Sequence, residues 1–302
     1  MTFIKLDPNL MQGLIKNLES YADEAERARS NIHSSSVNNS HPVPEVDDAT
    51  YLPAIFTVTS ADAPTSRMMD TLNSMSINSN TGSSYNTTMG ATINALGEVI
   101  DGLQERLQVI IDLNTDGIST TSSDGVPGYY LPDGTADTVE NVKTYNTEAV
   151  ATARADADAL TQATNSKDRK ADDGRTIDDI MASMTDNQGN PVYANAVITE
   201  IGPENLTSLP ISVSSWAGSS SVEEADRIAD ALGGVLASAS TIWDEERSQE
   251  VADAISGSVD EEGEYGRVTA LNAILSRDDD GNGVNDLDFG SSFLIDLANK
   301  LD

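Results

Sequence analysis

The chain has 302 residues, with 17 Lys and Arg against 50 Asp and Glu, giving a formal charge of −33. Its 6 Lys and 11 Arg are scattered without a basic block. That excludes recognition of nucleic-acid backbones and of anionic membrane surfaces, both of which draw affinity from Lys and Arg replacing counterions. The absence of Cys removes disulfides, zinc–thiolate sites and thiol nucleophiles, and two histidines, His33 and His41, leave little for imidazole catalysis.

The first ten residues, MTFIKLDPNL, lack the apolar run of a secretory leader. No stretch of about 18 apolar residues occurs, so no membrane span is expected. The expected location is the cytoplasm before export, then the exterior or cell surface by a route that reads folded helices.

Asp7 as N-cap and Pro8 in the first turn open a helix predicted over 8–32. Its apolar positions, Met11, Leu14, Leu18, Tyr21, Ala25, Ala28 and Ile32, form a heptad seam. A matching series runs through Met89, Ile93, Leu96, Ile100, Leu103, Leu107 and Ile110. Two long helices with matching seams predict an antiparallel hairpin. Ordinary amphipathic helices of a bundle would carry the same stripe, so the seam by itself implies pairing and no function. The Ser/Asn/Thr-rich connection between them is broken by Pro42, Pro44, Pro53 and Pro64.

The hairpin unit is assigned to residues 1–114, a linker to 115–138 and a helical trunk to 139–302. The trunk opens with one Ala-rich helix over 139–164, expected to bury little and to bridge the two units. Shorter helices follow at 176–184, 191–201 (capped by Asn190 and closed by Gly202), 221–241, 244–256, 266–276 and 289–301. Residues 207–215 alone show any strand character. The fold class expected is all-α: a hairpin followed by a domain of short helices.

The sharpest motif is RDDDGNGVNDLDF at 277–289. Asp278, Asp280, Asn282 and Asp286 fall at positions 1, 3, 5 and 9 of a calcium loop, Gly283 at the turn, and Val284 where a backbone carbonyl ligates. Position 12 is Phe289 instead of a bidentate Glu, and an acidic Gly-bearing connection would look similar. A weaker copy runs through Asp112, Asn114, Asp116, Gly117 and Ile118. A helix C-terminus followed by a turn accounts for that copy equally well. The numerous adjacent acid pairs point to different faces of their helices, so none stands out as a proton-shuttling couple.

The paired heptad helices after an unsignalled start resemble the helical hairpin of WXG-type substrates of type VII secretion, including the long polymorphic-toxin chains of actinobacteria. Four phrases resemble the helical region that follows the hairpin in those chains. They are GNPVYANAV at 189–197, IGPENL at 201–206, GRVTALNAIL at 266–275 and FGSSFLIDLA at 289–298. The resemblance implies a non-enzymatic targeting and structural region whose hairpin binds a small helical-hairpin partner or a second copy. The family's Trp-x-Gly turn has no counterpart in residues 34–84; Trp216-Ala217-Gly218 lies elsewhere. Tyr129 and Asp133 match the family's Tyr-x-x-x-Asp export signal in spacing, but within a Pro/Gly-rich stretch. The alternatives are a calcium-stabilised extracellular adaptor, or an acid/base hydrolase whose carboxylate pair is not identified.

Overall fold

The computed structural model describes residues 1–38, 82–118, 120–121, 125–214, 219–259, 264–277 and 285–301. They divide into two compact units: Pro8–Leu107, and Met1–Asp7 together with Gln108–Asp302. The described chain is mostly helical, with one small antiparallel sheet.

The first unit holds helix α1 (Pro8–Asn38) and most of α2 (Gly82–Thr115). On α2 the predicted seam holds, with Leu96, Ile100 and Leu107 buried. On α1 it is shifted. Ile15 and Leu18 are buried, Met11, Ala22 and Ala25 are half-buried, and the expected seam residues Leu14 and Tyr21 face solvent. Both lines have heptad spacing; only the packing partner chooses between them. Gln104 Nε2 on α2 donates to Glu19 Oε1 on α1 at 3.1 Å.

The second unit corrects the all-α expectation. Strand β1 (Thr2–Lys5) pairs antiparallel with β2 (Gly128–Leu131), placing Phe3 opposite Tyr130 and Ile4 opposite Tyr129. Residues 115–138, expected as a linker, therefore contain a strand. Four residues are too few for a period-two pattern to be read, and the two strands lie more than a hundred positions apart.

The Ala-rich helix is also corrected. It is two helices, α3 (Val139–Tyr145) and α4 (Thr147–Asn165), broken at the buried Asn146. Instead of bridging units, α4 lies in the core, burying Ala149, Val150, Ala153, Ala157, Leu160 and Ala163. Small side chains reduce area per residue but let neighbouring helices approach closely, so an alanine face suits a crowded centre.

Against it pack α5 (Ile177–Asn187) and α6 (Pro191–Ile201). Thr176 and Asp179 close a capping box at the start of α5; Asn190 Oδ1 accepts from Val192 N at 3.0 Å at the start of α6. Nearly every residue of α6 is buried, the mark of a helix enclosed on all sides. A short 3₁₀ turn (Pro203–Asn205) leads to α7 (Ser208–Ser214), a helix where strand character was expected. Its Val213 and Leu209 are buried at helical spacing, and tertiary packing overrides the β-branched propensity.

Helices α8 (Ser219–Ser240), α9 (Glu245–Val259), α10 (Glu264–Leu275) and α11 (Ser291–Leu301) complete the unit. The backbone of α8 at Gly233 lies so close to the Ile274 carbonyl that a Cβ would collide with it. At the end of α11's approach, Gly290 N donates to Ser240 Oγ at 2.8 Å. Trp243 stacks edge-on against Phe293 at 5.3 Å and donates Nε1–H to Asn195 Oδ1 at 2.8 Å.

Candidate functional site

The densest polar constellation surrounds Asp156, whose side chain is 1% exposed in the middle of α4. One carboxylate oxygen accepts from Arg175 Nη1. The other accepts from Ser183 Oγ and from Tyr193 OH, each at 2.7 Å. Three elements thus converge on one acid: the turn before α5, α5 itself and α6. Arg175 also donates Nε–H to Asp173 Oδ2 at 2.7 Å and Nη2–H to the Ala155 carbonyl at 2.8 Å.

Burial pushes the Tyr193 hydroxyl well above its ordinary range, and its hydrogen bond to the Asp156 carboxylate adds to the effect. Desolvation opposes the charge on Arg175, but hydrogen bonds to Asp156 and Asp173 together outweigh it and raise its pKa. Asp173 is held below the usual carboxylate range by the Arg175 backbone N–H and then by its side chain. Both carboxylate oxygens of Asp156 accept from protein donors, so neither is presented bare as a general base. The centre acts as a clamp joining α4, α5 and α6.

A second feature is an open cleft of about 410 Å³ between α5 and α8. Asp178, Asp186, Gln188, Arg227, Asp230 and Arg277 line it, and Arg227 Nη1 pairs with Asp178 Oδ1 at 2.9 Å. The Gln188 Oε1 atom is buried there without a hydrogen-bond donor among the described residues and abuts Gly234. Mixed charge on an open surface offers no convergent geometry for a reacting group.

The third feature is apolar. Leu10, Leu14 and Tyr21 are 74%, 45% and 38% exposed on α1. Spaced by four and seven, they form one stripe beside the buried Ile15–Leu18 line. Lone exposed hydrophobics are ordinary, but an aligned set on a helix marks a surface that can receive another helix.

A family model described as a family of unknown function, DUF6571, matches residues 1–61 and 57–302. The chain belongs to that family. Neither the search of curated proteins nor that of solved structures returned a match. The matched residues span both compact units.

Of the predicted calcium ligands, Asp278, Asp280, Asn282 and Val284 lie outside the described residues, as do Gly283 and Trp216-Ala217-Gly218. Asp286 lies within them, where its backbone N–H donates to the Arg277 carbonyl at 2.7 Å. Asn285 Oδ1 accepts from the backbone N–H groups of Arg277 and Leu287, each at 3.1 Å, and its Nδ2 donates to the Leu275 carbonyl. Among the described residues, no cluster of three metal-ligating side chains occurs.

The weaker copy at 112–118 is a helix C-cap. Gly117, at φ +75°, donates to Asn114 O, and Ile118 donates to Leu113 O at 2.9 Å. Leu113 and Ile118 are both buried, as a Schellman motif requires, and the Asp116 carboxylate faces Arg154 at 3.1 Å. Tyr129 is a buried strand residue whose hydroxyl donates to Asp137 at 3.0 Å, and Asp133 follows in the turn, where it accepts from Thr2 Oγ1 at 2.6 Å. The pair does not share a helical face. Sequence reasoning missed Asp156, which looks like one more acid in an Ala-rich helix. Its signal was available as a lone carboxylate on the face whose other members are Ala149, Ala153, Leu160 and Ala163.

Proposed function

We propose that this chain is a non-enzymatic targeting and structural region of an exported, toxin-like or surface-associated protein. In this reading α1 and α2 form an antiparallel hairpin that presents a protein-binding surface. The observation that carries it is the exposed stripe of Leu10, Leu14 and Tyr21, which lies outside the α1 residues buried in the unit's own packing. Its occupant is an amphipathic helix of a small helical-hairpin partner, because two heptad helices leave room at their flank for further helices of the same kind. Export proceeds by a type VII route that reads the folded hairpin. Among the described residues no helix is long and apolar enough to cross a membrane. The clamp around Asp156 supports a structural role for the trunk, since that acid's oxygens are occupied by Arg175, Ser183 and Tyr193.

The test is a pull-down with helical-hairpin proteins encoded beside this chain, using the native form and a Leu10→Ser, Leu14→Ser, Tyr21→Ser variant. Capture by the native chain only, with equal thermal stability of both, supports the reading. Capture that survives the triple change, or no capture and no export-dependent secretion, overturns it.

A second reading, calcium stabilisation of the 278–288 loop, is favoured by one observation. The side chain of Asn285 hydrogen-bonds Leu275, Arg277 and Leu287, joining the described residues on either side of 278–284.

A further inference from the structure

We draw no further inference here: the strongest candidate, the apolar patch that Leu294, Ile295 and Leu301 leave exposed on α11, is an unpartnered helix face, and nothing in the structure shows what covers it.

Discussion

Asn146 and Tyr130 exchange two hydrogen bonds: Tyr130 N–H donates to Asn146 Oδ1, and Asn146 Nδ2 donates to Tyr130 O, each at 3.0 Å. Nδ2 also donates to Val142 O at 2.7 Å, so a side chain with no exposed surface bonds the strand as another strand would and also caps α3. The position requires a donor and an acceptor on one short arm. Asn146→Ala should cost about 1–3 kcal/mol for the groups left unpaired. Asn146→Asp should cost more, because its carboxylate would face the Tyr130 and Val142 carbonyls and bury a charge. Urea unfolding of the two variants checks the order; a milder Asp than Ala would contradict the two-way exchange.

Removing Asp156 strands three donors at once. Asp156→Ala should destabilise the trunk by about 3–5 kcal/mol, the range for breaking a buried pair from one side. Adding Arg175→Met to that variant should restore part of the loss, since the uncompensated guanidinium leaves with its partner. A double-mutant cycle that shows simple additivity would mean the two residues do not share an interaction.

Stability should fall at both ends of the pH scale, for different groups. Tyr193 has a raised pKa, so its contribution is complete below the ordinary tyrosine value of about 10 and is lost as pH rises beyond it. In an alkaline absorbance titration its ionisation should coincide with unfolding. Asp173 and Asp179 are held low, the latter by the Thr176 backbone N–H and then its hydroxyl in the α5 capping box. Their contribution is present above about pH 4 and disappears as pH falls through the lowered values. Thr176→Ala should flatten the acid limb of a melting-temperature profile.

Close helix contacts predict opposite signs for two small changes. Gly233→Ala drives a methyl into the Ile274 carbonyl and should cost about 1–3 kcal/mol, as overpacking of a rigid contact does. Thr207→Val replaces a fully buried hydroxyl that has no hydrogen-bond partner among the described residues and should stabilise by about 1 kcal/mol. Thermal melts of the two variants beside the native chain provide the check.

Calcium binding at 278–288 predicts a higher melting temperature in about 5 mM calcium than in chelator, in the weak range of extracellular sites. The difference should vanish when Asp278 and Asp280 are both changed to Asn. A shift that survives the double change would report general screening of the −33 charge.

What was legible in the amino-acid sequence was local. Pro8, Asn190 with Pro191, and Gly202 announced helix ends, because capping and backbone conformation depend on a few neighbouring residues. The α2 seam was legible for the same reason: its apolar period is contained in the helix itself. On α1 two apolar lines compete, so Leu14 and Ile15 were interchangeable until a neighbour covered one of them. The Ala-rich helix read as a bridge because intrinsic propensity does not report how many helices crowd round it. The sheet, the Asn146 seal and the Asp156 clamp depend on contacts between residues from 16 to well over a hundred positions apart. Only tertiary structure decided those, since a buried polar side chain keeps its place by partners that no local pattern reveals.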